Sequence, residues 1–253
     1  MSMNLFNLSG RSAIVTGGNG DIGRAIAQGL YDCGADVLIV GRSETTQSVA
    51  DELGSDDRPV HGLRIDLADR EALRQGFADA VAKLGKLDIL INCHGIGSAM
   101  DSVDFDIEDW DKTLEVNLTS VFLLCQLAGK HMLERGRGKI INIASMTSYT
   151  GGLRIPAYTA SKGGISQLTM ALANEWSAKG VNVNAIAPGY IKTNLNPHVW
   201  GDPVRHDQIL GRLPSGRWGN TDDLKGAAIF LASAASDYVH GVTLPVDGGF
   251  LSW

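Results

Sequence analysis

The sequence predicts an α/β fold: one mostly parallel sheet with helices on both faces. Two observations carry that expectation. Short apolar runs alternate with helix-like stretches from one end of the 253 residues to the other. Such alternation is the pattern of successive βαβ units, whose crossovers place helices on the two faces of the sheet. The apolar runs are also continuous, Leu87 to Ile91 being typical, as expected of strands covered on both sides.

In order, Ser12 to Val15 is the first buried strand. Arg24 to Cys33 follows as helix, with Gly34 at its stop. Val37 to Val40 is strand, Thr46 to Leu53 helix and Val60 to Ile65 strand. Glu71 to Leu84 is helix and ends at Gly85, before the strand Leu87 to Ile91. Trp110 to Arg135 is a long helical region, followed by the strand Lys139 to Ala144. A second long helix, Ala157 to Ala178, leads into the strand Val181 to Ile186. Asp222 to Leu231 is the last helix and Val242 to Val246 the last strand. The expectation is a single domain over 1–253 with a seven-stranded sheet. The least regular stretch, 191–218, carries Pro197, Pro203 and Pro214 and is expected to cover the carboxyl ends of the strands, where ligands bind in this architecture.

Composition excludes several functions. The formal charge is −6 and no basic run suggests a nucleic-acid groove or an anionic membrane surface. No apolar run reaches the roughly 18 residues of a membrane span, and the N-terminus has no secretory pattern. Cys33, Cys93 and Cys125 are scattered and odd in number, which fits small hydrophobes in a reducing cytoplasm. The six histidines show no metal-ligand spacing, so no metal is expected.

Strand one runs into Thr16-Gly-Gly-Asn-Gly-Asp-Ile-Gly23 and then a helix. Glycine allows the tight turn and the close approach of phosphate to backbone, and the helix N-terminus offers unpaired N–H groups to an anion. The loop lacks the Gly-Lys-Ser/Thr ending of an ATPase, so it favours a dinucleotide. Gly17, Asn19, Asp21, Ile22 and Gly23 are the candidate contacts. Strand two ends Gly41-Arg42-Ser43, with no carboxylate for an NAD ribose; Arg42 and Ser43 suit a 2′-phosphate instead. NADP is therefore preferred, with NAD possible, and Glu44 opposes this preference if it turns inward.

Asp66 and Leu67, after strand three, are candidates for the adenine, although Asp66 could instead cap the next helix. Asn92 and Gly95 fall after strand four, and Pro188, Gly189, Ile191 and Thr193 after the strand from Val181. These fall where the cofactor would pass, at carboxyl ends of parallel strands. Tyr158 and Lys162 stand one helical turn apart, on one face. An ammonium beside a phenol favours phenolate, so the expectation is a Tyr158 of lowered pKa that carries a proton in alcohol or carbonyl chemistry.

These motifs resemble the short-chain dehydrogenase/reductase family over essentially the whole chain. The resemblance rests on Thr16-Gly-x-x-x-x-Ile-Gly23, Asn92-x-x-Gly95, Asn117, Ser145, Tyr158-x-x-x-Lys162 and Pro188-Gly189. It implies a Rossmann-type three-layer α-β-α sandwich, hydride transfer to or from NAD(P), and a homotetramer. It also implies a catalytic set of Asn117, Ser145, Tyr158 and Lys162, with Tyr158 and Lys162 touching the cofactor as well. Two positions depart from the family pattern. Asp21 replaces its middle glycine, and Asn92-Cys93-His94-Gly95 replaces Asn-Asn-Ala-Gly.

Gly151-Gly-Leu-Arg-Ile-Pro-Ala-Tyr158, Gly216-Arg-Trp-Gly219 and Val246-Asp-Gly-Gly249 resemble the sugar-acid dehydrogenases of the family. That resemblance implies a sugar-acid substrate, either a keto-deoxy acid or gluconate. A 3-oxoacyl-thioester reductase and a non-catalytic NADP-binding sensor are the alternatives. A sugar acid needs a cation for its carboxylate; Arg154 is the first candidate, and Arg212 and Arg217 follow. His94 is either a further contact to cofactor or substrate or, as the preferred reading, a local packing and hydrogen-bonding substitution.

Overall fold

The computed structural model describes residues 3–194 and 197–252. Met1, Ser2, Trp253, and Leu195 and Asn196 of the expected cover lie outside the described residues. Strands β1 (Ser12–Thr16), β2 (Asp36–Gly41), β3 (His61–Arg64), β4 (Ile89–Asn92), β5 (Gly138–Ile143), β6 (Val181–Pro188) and β7 (Thr243–Val246) form one sheet. Its order is β3-β2-β1-β4-β5-β6-β7, and every neighbouring pair is parallel. Strand order reverses between β1 and β4, which opens a crevice at their carboxyl ends. This is the expected Rossmann-type sandwich.

The helices are α1 (Asp21–Asp32), α2 (Thr46–Leu53), α3 (Arg70–Leu84), α4 (Ile107–Leu114), α5 (Ser120–Glu134), α6 (Pro156–Trp176), α7 (Pro197–Trp200), α8 (Pro203–Leu210) and α9 (Lys225–Ala232). Side chains alternate across each strand and so feed two cores. Ile14, Leu38, Leu90, Ile140 and Val183 pack on one face with residues of α3, α5 and α6. Val15, Ile39, Ile91, Ile141 and Ile186 pack on the other with α1, α2 and α9.

At the amino ends of the strands, Asp88 is 2 % exposed and gathers cations. Arg135 meets it at 2.7 Å, with Lys86, Arg11 and Arg137 further out, and the Ser12 amide donates to it at 3.1 Å. Burial pushes its pKa up, but the Ser12 amide and the Arg135 guanidinium outweigh burial and hold the carboxyl below its usual range.

Three elements differ from expectation. Helix α1 starts at Asp21, inside the glycine-rich loop, so its amino end belongs to the ligand crevice. The long region from Trp110 is not one helix: Glu115–Thr119 forms a π-turn between α4 and α5, where the Ser120 amide bonds Glu115 O at five-residue spacing. Within 191–218, α7 and α8 replace the expected irregular chain; Pro203 opens α8, and Asp202 caps it by accepting from the Val204 and Arg205 amides.

Candidate active site

The glycine-rich loop closes on itself so tightly that side chains are excluded. A β-carbon on Gly23 would lie 2.2 Å from Gly17 O, and one on Gly17, at φ 66°, 2.9 Å from the His94 backbone. Gly20, the N-cap of α1, supplies no side-chain cap, which leaves the first helical N–H groups for a ligand. That cradle fits a pyrophosphate. Asp21 does not face into it as an unpaired charge. Its carboxylate accepts from the Asn194 amide at 2.6 Å and from Asn194 Nδ2 at 3.0 Å, fastening the start of the 191–218 segment to α1.

At the end of β2, a β-carbon on Gly41 would stand 2.1 Å from Asn19 Oδ1. Asn19 thus fills the space that an NAD-type carboxylate would need. Glu44 pairs with Arg64 at 3.0 Å, and Arg64 Nε also donates to Arg42 O at 3.1 Å. Arg42 is exposed and has no ion-pair partner among the described residues, while Ser43 bonds Thr45. Asp66 forms a turn with the Ala68 amide, and Asp69, not Asp66, caps α3. Leu67 is buried beside it.

The Asn92 side-chain amide lies in the core and donates to Asn142 Oδ1 at 2.9 Å, which leaves the backbone of this turn to face a cofactor. Gly189 turns against Asp247, Ile191 is buried, and Thr193 accepts from Trp200 Nε1 through its carbonyl.

The loop Gly95–Gly97 brings the catalytic candidates together. A β-carbon on Gly95 would lie 3.3 Å from Asn117 Oδ1 and 3.8 Å from Lys162 Nζ; one on Gly97 would lie 3.3 Å from Tyr158 Cδ2. Asn117 is fully buried in the π-turn, a local widening frequent at functional sites. Its amide clasps Ile96 both ways: the Ile96 N–H donates to Oδ1 and Nδ2 donates to Ile96 O, each at 2.8 Å. Ser145 caps a short 3₁₀ turn after β5, accepting from the Thr147 amide, and also hydrogen-bonds Tyr158.

Lys162 is 5 % exposed, and its ammonium donates to Ile143 O at 2.6 Å, 5.6 Å from the centre of the Tyr158 ring. Burial pushes Lys162 down to about 8. Tyr158 does not have the lowered pKa expected from the spacing. Desolvation of its phenolate raises it, against the opposing hydrogen bond from Ser145. With the Lys162 head drawn to a carbonyl, burial decides the sign.

His94 is not turned to a substrate. Nδ1 meets Thr16 Oγ1 and Nε2 meets Ser120 Oγ, both at 2.7 Å. Desolvation and then the Lys162 charge push it down to about 3, so the ring is neutral. Thr16 and Ser120 are functional neighbours that sequence reasoning missed; they lie 78 and 26 positions from His94, and no spacing rule joins them.

Of the three arginines, Arg217 is committed to Asp223 through two bonds of 2.7 and 2.8 Å. Arg212 lies over the Phe250 ring and has no carboxylate partner among the described residues. Arg154 pairs with Asp101 at 2.9 Å and is the one non-glycine residue with positive φ, 64°, among the described residues. No group of acidic, cysteine and histidine residues suited to a metal occurs among the described residues.

A phosphate cradle at the strand-order reversal, beside a Ser, Tyr, Lys and Asn set, defines a dinucleotide-dependent oxidoreductase acting on CH–OH groups. The chain belongs to the short-chain dehydrogenase/reductase family: a family model described as enoyl-(acyl carrier protein) reductase matches residues 18–251. More particularly, it is 46 % identical over 247 residues to the 2-dehydro-3-deoxy-D-gluconate 5-dehydrogenase of Bacillus subtilis, covering 98 % of this chain and 97 % of that one. It is 43 % identical to the enzyme of that name from Escherichia coli, over the full length of both. A crystal structure of gluconate 5-dehydrogenase from Burkholderia cenocepacia, in complex with NADP and tartrate, superposes with a TM-score of 0.95 at 39 % identity, covering 99 % of this chain and 98 % of that one.

Proposed function

We propose that this chain is an NADP-preferring dehydrogenase of a sugar acid, most specifically a 2-dehydro-3-deoxy-D-gluconate 5-dehydrogenase. The observation that carries the reading is the convergence of Ser145, Tyr158, Lys162 and Asn117 around Gly95–Gly97, joined to full-length similarity to relatives of that name. The Gly17–Gly23 cradle and the α1 amino end would hold the pyrophosphate, and Arg42 with Ser43 the 2′-phosphate. Bound NADP supplies or accepts the hydride.

The chain's own residues handle the proton. Tyr158, a neutral phenol in the absence of ligand, donates to the substrate oxygen during ketone reduction and takes the hydroxyl proton back during oxidation. Ser145 donates to the same oxygen and stabilises its developing charge. Lys162 holds a positive charge next to the phenol up to about pH 8. Asn117 orders the adjoining proton path. Arg154 is the preferred anchor for the substrate carboxylate, which would exchange with or join Asp101.

The segment 191–218 acts in this reading as a cover, and its fastening by Asp21 supports that role. The homotetramer implied by the family resemblance belongs to this reading as well. Gluconate 5-dehydrogenase is the second reading, favoured by the NADP-bound relative. A substrate panel of keto-deoxy sugar acids, gluconate and 3-oxoacyl thioesters, run with NADP(H) and NAD(H), separates these. The reading expects a sugar acid with NADP(H) to give the highest kcat/KM and Tyr158→Phe to abolish it. Fast turnover of the thioester alone would overturn the substrate class.

A further inference from the structure

We infer that His94 is a positioning residue: a neutral hydrogen-bond bridge that fixes the Asn117 π-turn to the end of β1. The inference rests on the reading of Asn117 as part of the proton path.

The Ser120 amide bonds Glu115 O, the five-residue spacing of the wide turn. In an α-helix that amide would instead reach Val116 O, four residues back. The Ser120 hydroxyl takes that place and donates to Val116 O at 2.6 Å. Its one proton being committed there, Ser120 Oγ must accept from His94, so Nε2 carries the hydrogen. Nδ1 is then an acceptor and takes the Thr16 hydroxyl proton at 2.7 Å, ahead of the more distant Ile91 O at 3.3 Å, while Thr16 Oγ1 accepts from the Cys93 amide at 3.1 Å.

The path therefore runs from the Cys93 amide through Thr16, His94 and Ser120 to Val116 O. It ends one residue before Asn117. The Asn117 amide closes the circuit by clasping Ile96, two residues after His94. Two separate links thus tie the 94–96 backbone to the π-turn. One of them needs a side chain that is donor at one end and acceptor at the other. Alanine, the residue of the family pattern, offers neither.

The bridge predicts coupled effects. His94→Ala and Ser120→Ala should each lower kcat about tenfold, the loss of one buried hydrogen-bond link, with KM for NADP moved less than threefold. The double variant should be no worse than His94→Ala alone, because every link through Ser120 also passes through His94, which itself also bonds the Val116 carbonyl. H94Q, which restores a donor and an acceptor, should recover most of kcat. Each variant is checked for folding by thermal melting; where H94A folds poorly, H94Q and S120A carry the comparison. A kcat for H94A within twofold of wild type, or effects of H94A and S120A that multiply, would overturn the bridge. N117A is measured in parallel: full activity there would remove the Asn117 reading and the bridge's functional role with it. An inactive N117A beside a fully active H94A would sink the bridge alone.

Discussion

Replacing Lys162 with methionine isolates the energetic cost of its buried ammonium. Lys162 drops from its ordinary 10.5 to about 8 on folding, because its charge is buried. That drop corresponds to about 3 kcal/mol of stability lost at neutral pH. Between about pH 8 and about pH 10.5 the unfolded chain holds this proton and the folded chain has released it. The unfolded state binds more protons across that window, so stability rises with pH there. Below the window both states are protonated and the cost is complete; above it the cost is gone. Methionine removes the charge but leaves the Ile143 carbonyl, now bonded at 2.6 Å, without its donor. An unsatisfied buried carbonyl costs about 1–3 kcal/mol.

The two contributions nearly cancel at neutral pH, where K162M should match wild type or exceed it by up to about 2 kcal/mol. Above about pH 10.5 K162M should be the weaker protein by about 1–3 kcal/mol, its activity absent throughout. Cys93 and Cys125, held up to about 12 by burial, stay neutral in the folded state of both proteins across the window, so their contribution drops out of the difference. Urea denaturation of both proteins at a series of pH values measures it. Parallel stability curves from neutral pH to pH 10.5 would refute the assignment of a buried, strained charge to Lys162.

Arg42→Ala should raise the Kd for NADP about 10- to 100-fold, as expected for loss of charge-assisted bonds to a phosphate, and leave NAD nearly unchanged; fluorescence titration of both cofactors tests it, and equal losses would place Arg42 elsewhere. Arg154→Ala should raise KM for the sugar acid about tenfold or more while a neutral polyol is unaffected. An equal kinetic loss for both substrates would make Arg154 a structural residue of the loop it shares with Asp101. Asp21→Ala removes both Asn194 bonds, so hydrogen exchange at the Asn194 amide should quicken about tenfold; unchanged protection would mean that Asp21 does not restrain the cover.

The sheet was legible because its strands are covered on both faces. Ile89, Leu90 and Ile91 are all buried, and a strand of that kind needs no alternation to be read. The ends of helices were legible where a glycine marks them: Gly85, in the left-handed region, closes α3 as expected. The π-turn was not legible. Leu114 to Ser120 keeps an ordinary helical pattern, and the shift to five-residue spacing shows only in which carbonyl the Ser120 amide chooses. Asn117 is therefore legible only through family resemblance, and its burial follows from the π-turn that holds it.

The Tyr158–Lys162 pair shows the same division in its chemistry. Four-residue spacing correctly puts the two side chains on one face of α6, yet adjacency alone gave the wrong sign for the phenol. Charge attraction falls with distance and depends on where the ammonium points, and Ile143 O draws it aside. Desolvation is set by everything packed around the ring, contributed by strands and loops far away in the chain. Asp21 follows the same logic in the other direction. By local rules it is an unfavourable carboxylate beside a phosphate cradle, and a partner 173 positions later turns it into a tether. Spacing along one helix thus identifies which groups can meet, while their protonation and their direction are properties of the assembled crevice.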